Sequence, residues 1–356
     1  MKHSTTHGAD SAQPHRRMNG LLLIGLLLIC VDAAGYEFEP LADRYIIPGY
    51  RQLVTATEAL NLSAQHYCVR QDAAHLASLR ENFRNAFLAW QGIQPIRFGP
   101  VQYLNRDFRF QLWPDKRDSV TRHLGQLLDD PQLTSAEFDI TAKSVAVQGF
   151  SALEQLLFSQ QPLDEPGCRL MPVIAANLNH MATATLKDWL EGDEPYFKYF
   201  IEPGPDNPMF ESDRELAGQL LNSLYSQLEI MLTQKLDRPL GEGIDKARGS
   251  RAEGWRSDTS LAALDHNLDA LQRIITLVLG HKLNADLQRR IRQQFESSRS
   301  LRRNIDLPLH RAVDDPSQRV RVLAYRQALS ELKRLVTAEM ANALDLSLGF
   351  NSLDGD

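Results

Sequence analysis

A serine and a glutamate lie three residues apart in an apolar stretch of the chain, a pair that could bind a ligand or a metal ion. In the helix predicted for this stretch, Ser151 and Glu154 lie on the same face. The apolar positions of that helix form a stripe: Val145, Gly149, Phe150, Leu153, Leu156 and Leu157. A carboxylate beside such a stripe needs a partner, because an unpaired buried charge is costly. Two interpretations therefore stay open: Glu154 is paired structurally, or it serves a ligand.

The same stretch does not indicate a catalytic nucleophile or a zinc site. The sequence Gly-Phe-Ser-Ala-Leu around Ser151 lacks the last glycine of a G-x-S-x-G elbow, and its flanks continue a helix. No two histidines of the mature sequence have the i, i+3 or i+4 spacing of a helical metal pair. A site of oxygen ligands from Ser151, Glu154 and a distant aspartate remains an alternative.

Residues 92–118 form a long stretch without helical periodicity, in which aromatic and charged residues alternate with Gly-Pro turns. Loops of this length are uncommon inside a helical domain and are often functional. The candidate binding residues in it are Arg97, Trp113, Asp115 and Arg117. Alternatively, the loop only covers one end of a helical bundle, with Arg97 or Arg117 paired to Glu154.

The elements that must position these residues are all helical, since apolar residues recur with a period near 3.6 and no alternating strand pattern occurs. The predicted helices span about residues 48–69, 72–91, 119–128, 134–158, 168–190, 211–236, 260–279, 284–303 and 316–344. Thr134 and Glu137 form a predicted capping box at the start of the fourth of these. A Pro-rich joint at residues 202–208 separates two predicted bundles, 34–205 and 206–356.

Residues 1–33 have the features of a signal peptide. Arg16 and Arg17 precede an apolar run of about eleven residues, too short to span a membrane, and cleavage is predicted after Ala33. The long stretch before Met18 leaves Met1 and Met18 as alternative starts. A lipid anchor on Cys30 is not expected, because the preceding isoleucine is too bulky for a lipidation site.

Cleavage would leave two cysteines, Cys68 and Cys168, in an oxidising compartment. Such a pair predicts one disulfide, with two buried free thiols as the alternative. The net charge of −6, with no basic face interleaved with aromatics, argues against a nucleic-acid partner.

The chain resembles the imelysin-like family of bacterial envelope proteins. The family motif Gly-x-His-x-x-Glu before Leu-Leu-Phe is matched at Gly149 and Glu154, whereas Ser151 stands in place of the histidine. Arg-Phe-Gly-Pro from Arg97, Trp-Pro-Asp-Lys-Arg from Trp113 and Trp-Arg-Ser from Trp255 are also similar to family elements. The resemblance extends over about residues 45–344 and implies two helical bundles side by side with a cleft between them.

For function, the resemblance implies a link to iron acquisition or haem handling, with peptidase activity ascribed to some members. We therefore expect an exported periplasmic protein without a transmembrane anchor, which binds a ligand or assists other envelope components in iron, haem or other metal uptake. The residues expected to line its cleft are Ser151, Glu154, Arg97, Trp113, Asp115, Arg117 and Arg256. The alternatives are a metallopeptidase, disfavoured by Ser151 because water activation needs a well-held metal or a tuned base, and an interaction scaffold without a small ligand.

Overall fold

The long helices follow the apolar periodicity closely. The computed structural model describes residues 35–159 and 163–349, and within these ranges it contains helices and no strand. Its longer helices are α1 (Ile47–Val69), α2 (Ala73–Ile93), α3 (Ser119–Leu128), α4 (Phe150–Ser159), α5 (Glu165–Leu190), α6 (Asp213–Glu229), α7 (Ser260–Ile274), α8 (Ala285–Arg303) and α9 (Pro316–Arg334). The predicted signal peptide, with Cys30 and the cleavage site after Ala33, lies outside the described residues.

Several helices continue into wider or tighter turns, and short helices fill the connections. Wider, π-helical turns extend α6 through Ile230–Asp237, α7 through Ile275–Leu279 and α9 through Leu335–Met340, and another, Ala42–Ile46, leads into α1. The short helices and 3₁₀ turns are Glu39–Leu41, Gly99–Asn105, Arg106–Phe110, Pro131–Thr134, Ile140–Ala142, Val145–Val147, Tyr196–Ile201, Arg238–Leu240, Ile244–Lys246, Gly249–Arg251, Gly280–Lys282, Leu309–Ala312 and Ala341–Ala343.

Two groups of helices meet along α2 and α7. Helix α1 packs against α2 and α5, and α8 packs against α9, while α2 also contacts α7. The apolar faces predicted for α1 and α2 are buried, with Tyr50, Leu53, Phe83 and Trp90 at most 4% exposed. The predicted all-helical fold is therefore confirmed. The helices from Tyr36 onward belong to one compact unit, and the boundary between residues 205 and 206 stays a prediction.

The predicted helix over residues 134–158 is wrong in its first half. Helix α4 begins only at Phe150, and the preceding chain is a series of short turns. Their caps are local: Asp139 accepts a hydrogen bond from the backbone N–H of Thr141, and Ser144 accepts one from that of Ala146. Short polar side chains of this kind compete with helix formation by binding nearby backbone groups. Val145, placed on the apolar stripe by the prediction, is 38% exposed.

Gly149 precedes α4 at a point where another segment comes very close. A Cβ atom at this position would lie 2.2 Å from the carbonyl oxygens of Arg109 and Phe110. The close neighbour of Gly149 is therefore backbone of the short helix Arg106–Phe110, which ties the 92–118 loop to the start of α4.

The predicted disulfide is confirmed. Cys68 near the end of α1 and Cys168 near the start of α5 are bonded, with their Cα atoms 5.3 Å apart. The bond fixes the end of α1 to the start of α5, although the two cysteines are 100 residues apart in the chain. None of the helices in the described ranges has the length and apolar character required to cross a membrane.

Candidate functional site

The Glu154 carboxylate is buried and is held by the loop between α6 and α7, here called the 241–259 loop. Glu154 is 8% exposed. Its Oε1 atom accepts hydrogen bonds from the backbone N–H of Ser257 at 2.9 Å and from the Ser257 hydroxyl at 2.6 Å. The alternative in which Arg97 or Arg117 pairs with Glu154 is therefore wrong, because a serine from the other half of the chain provides these bonds.

Burial makes ionisation of this carboxyl group difficult. Removal from water raises the pKa of Glu154, and the nearby charge of Glu253 raises it further. The two hydrogen bonds from Ser257 and the charge of Arg256 act in the opposite direction, but the pKa remains above its ordinary value. Glu154 therefore keeps its proton to a higher pH than an exposed glutamate does.

Ser257 is positioned by a tight turn in the 241–259 loop. The Thr259 N–H donates to the Gly254 carbonyl at 3.0 Å, and Gly254 has a φ of +63°. That left-handed backbone favours glycine, and a Cβ there would lie 2.2 Å from the Thr259 hydroxyl. Arg84 of α2 donates through Nε to the Ser257 carbonyl at 2.9 Å. The turn is therefore held by a hydrogen bond within it and by a second hydrogen bond to α2.

A cavity of about 290 Å³ opens beside Glu154. Of the residues predicted to line a cleft, Ser151, Glu154, Trp113, Asp115 and Arg256 all border it. Arg238 and Arg251, which the sequence did not single out, border it as well. Its walls come from α3 and α4, from the 92–118 loop, from the end of the α6 segment and from the 241–259 loop.

Two of these wall residues already have structural roles. The Ser151 hydroxyl donates to the Leu112 carbonyl at 3.0 Å, which joins α4 to the 92–118 loop. Asp115 accepts from the N–H of Val120 at 2.7 Å and from that of Arg117 at 3.3 Å, at the start of α3. Burial opposes ionisation of Asp115, but the backbone donors outweigh it and hold its pKa below the ordinary value.

The remaining two predicted residues lie elsewhere. Arg97 borders a separate cavity of about 40 Å³, on which Trp113 and Asp107 also lie. Burial lowers the pKa of Arg97, while the charge of Asp107 raises it. Arg117 is exposed and does not border either of these two cavities. The structure therefore does not bring Arg97 and Arg117 to the Glu154 cavity.

A buried polar cluster that joins α2, α7 and the 241–259 loop was not predicted from the sequence. The ammonium group of Lys235 lies 2.7 Å from Oε2 of Glu253, and both side chains are at most 2% exposed. The two charges therefore form a buried ion pair. The Lys235 ammonium also donates to Gln91 of α2 and Asn267 of α7, each at 2.6 Å. The Nε2 groups of Gln91 and Gln111 donate to Oε1 of Glu253 at 3.2 and 2.9 Å.

One sequence signal could have revealed this cluster. Lys235 follows the apolar run of Ile230, Met231 and Leu232 and precedes Leu236, so it lies within an otherwise buried helical face. A lysine at such a position needs a buried acid. The identity of that acid was not readable, because Glu253 lies in an irregular loop.

Residues 35–159 and 163–349 do not contain a group of three or more His, Cys, Asp or Glu side chains that could hold a metal ion. The alternative site of oxygen ligands from Ser151, Glu154 and a distant aspartate stays a prediction: Ser151, Glu154 and Asp115 border one cavity, and the Ser151 hydroxyl is hydrogen-bonded to the Leu112 carbonyl.

Comparison with known proteins adds to this geometry. The chain is 21% identical to iron-regulated protein A of Synechococcus elongatus over 302 residues, which cover 81% of this chain and 80% of that protein. An imelysin-like protein of Psychrobacter arcticum has a similar structure, with a TM-score of 0.74 and 21% identity, over 88% of this chain and 97% of that one.

A second structure agrees with the first. A putative iron-regulated protein A precursor of Parabacteroides distasonis superposes with a TM-score of 0.70 at 13% identity, over 86% of this chain and 94% of that one. At these identities the structures support the fold alone. The sequence profile of imelysin, peptidase family M75, matches residues 46–336. Since that match covers most of the chain, this protein belongs to the imelysin family.

Proposed function

We propose that this protein is an exported binding or accessory protein of the cell envelope that takes part in the uptake of iron, haem or another metal. We further propose that its ligand binds in the Glu154 cavity. The observation that carries the proposal is the buried Glu154 carboxylate, held by neutral donors from Ser257 beside a cavity of about 290 Å³. Two relatives are named as iron-regulated proteins, which supports a role in iron supply.

The proposal favours binding over peptide hydrolysis, although the family carries a peptidase name. A metallopeptidase needs a metal held by several good ligands to activate water near neutral pH. At the motif position of the histidine this chain has Ser151, whose hydroxyl donates to the Leu112 carbonyl. Glu154 is fixed in place by Ser257, which suits a residue that recognises a ligand of fixed shape.

The test is iron accumulation in the organism that encodes the protein. A deletion strain grown under iron limitation is complemented with the wild type, with Glu154→Gln, or with Glu58→Gln as a control at an exposed position of α1. We expect the wild type and the control to restore cellular iron and Glu154→Gln to fail, with all three proteins present at equal amounts in the periplasmic fraction. Full restoration by Glu154→Gln, or absence of the wild type from the periplasm, would contradict the proposal.

Hydrolysis is measured on the same purified proteins. We expect casein and peptide substrates to remain intact with Zn²⁺, Fe²⁺ or Ca²⁺. Chelator-sensitive cleavage by the wild type that disappears in Glu154→Gln would replace the binding proposal with the peptidase alternative.

A further inference from the structure

Two arginines on one wall of the Glu154 cavity have no acidic partner among residues 35–159 and 163–349. Arg238 lies at the end of the α6 segment, and Arg251 lies in the short turn Gly249–Arg251 of the 241–259 loop. Both border the cavity. Within the described ranges, neither guanidinium group forms a hydrogen bond or an ion pair.

The two guanidinium groups are close enough to affect each other. Burial lowers the pKa of Arg238, and the positive charge of Arg251 lowers it further, while Asp115 raises it. Two like charges side by side are unfavourable unless an anion comes between them or a functional requirement keeps them there. The two arginines could therefore bind a negatively charged ligand without breaking an existing ion pair.

Three acids border the cavity: Asp115, Asp118 and Glu154. Asp115 accepts the N–H groups of Val120 and Arg117, and Oε1 of Glu154 accepts both donors of Ser257. In the described ranges, none of the three carboxylates forms a hydrogen bond or an ion pair with Arg238 or Arg251. The guanidinium forks thus remain available to a ligand, and their geometry suits carboxylate oxygens, which they bind through two parallel hydrogen bonds.

We propose that Arg238 and Arg251 bind the carboxylate groups of a small hydroxycarboxylic acid of the citrate type, which carries the metal ion into the cavity as an anionic chelate. This inference rests on the proposed function and names the ligand class of the same site. In such a chelate the organic acid supplies most of the oxygen ligands of the metal, so the protein needs to recognise charge and shape. A volume of about 290 Å³ lies at the small end of ligand pockets, which are roughly 300–1,000 Å³, and favours a compact chelate over a large macrocycle.

The experiment is calorimetric titration of the mature chain with citrate, ferric citrate and inorganic phosphate. The variants are Arg238→Gln, Arg251→Gln and the double variant, with Arg292→Gln, at an exposed position of α8, as the matched control. We expect ferric citrate to bind the wild type and the control equally, and each cavity variant to lose about tenfold to a hundredfold in affinity, as for charged hydrogen bonds. Arg251→Lys, which keeps the charge without the fork, should fall between the wild type and Arg251→Gln.

Each other outcome overturns the inference. Equal binding by the double variant and the wild type would remove the two arginines from the site. Binding of phosphate as tight as that of ferric citrate would assign the wall to phosphate-type anions. If the wild type binds neither form of citrate while Glu154→Gln still abolishes iron accumulation, the ligand class is wrong and the proposed function stands. Melting curves by circular dichroism establish that the variants are folded.

Discussion

Two buried glutamates, one within the 241–259 loop and one hydrogen-bonded to it, are stabilised in different ways. Glu253 belongs to the loop, is 1% exposed, and faces the ammonium group of Lys235 together with the amides of Gln91 and Gln111. Glu154 lies on α4, is 8% exposed, and receives its hydrogen bonds from the hydroxyl and N–H of Ser257.

The difference separates a structural acid from an acid at a binding cavity. The ion pair at Glu253 compensates its charge inside the protein, where a lost partner is costly. At Glu154 the hydrogen-bond donors are neutral and a cavity lies alongside, so the charge is not fully balanced and the pKa stays raised. We infer that Glu154 can respond to a ligand, whereas Glu253 holds α2, α7 and the 241–259 loop together.

The largest effect is expected for the Glu253 cluster. Lys235→Met removes the ammonium group and leaves the Glu253 charge buried and unpaired, so the free energy of unfolding should fall by about 3–5 kcal/mol in urea titrations. Lys187 has a side chain that is 65% exposed beside Glu191, so Lys187→Met is the control and should cost less than about 1 kcal/mol. Equal losses for the two variants would contradict a stabilising role of the buried pair.

A smaller loss is expected at Glu154. Glu154→Ala removes the acceptor of both Ser257 donors and leaves a buried N–H without a partner, which costs about 1–3 kcal/mol. Urea titration of this variant beside Lys235→Met tests the comparison directly. A loss as large as that of Lys235→Met would show that Glu154 is also part of a buried ion pair.

The pH dependence of Glu154→Gln sharpens the same comparison. The folded wild type binds the Glu154 proton more tightly than the unfolded chain, because the folded pKa is raised. Its stability relative to the glutamine variant should therefore be greatest at low pH and should decrease from about pH 4 until the pH passes the folded pKa. The slope is limited to about 1.4 kcal/mol per pH unit. Urea titrations of both proteins from pH 4 to 8 measure it, and a slope of opposite sign would contradict the raised pKa.

The smallest effect concerns Ser151, which borders the same cavity but has a structural bond. Ser151→Ala removes the hydrogen bond to the Leu112 carbonyl and should lower the free energy of unfolding by about 0.5–1.5 kcal/mol. The melting temperature of the purified variant checks this value. A loss above that of Glu154→Ala would mean that the hydroxyl holds the 92–118 loop in place.

The sequence predicted the elements better than the contacts between them. Phe83, Phe87 and Trp90 lie on the buried face of α2, as the helical period of the apolar residues implies, and the two cysteines predicted their bond. The start of α4 was misplaced, because Asp139 and Ser144 form local caps that periodicity does not detect.

The candidate site was predicted in part for a related reason. Spacing on one helix placed Ser151 and Glu154 at the same cavity. The partner of Glu154 was not predictable, since Ser257 comes from an irregular loop 103 residues away. Arg97 was assigned to the wrong cavity, because spacing along the chain does not predict where a side chain of an irregular loop points. Whether the predicted residues bind a ligand stays a prediction.

The bond between Ser257 and Glu154 has a consequence for how this sequence can change over generations. Two positions 103 residues apart share one buried hydrogen-bonded unit, so a substitution at either one alters which residues are tolerated at the other. A relative that loses the carboxylate at position 154 no longer needs a hydroxyl at position 257, whereas one that keeps it must keep a donor there. The two positions should therefore covary among related sequences.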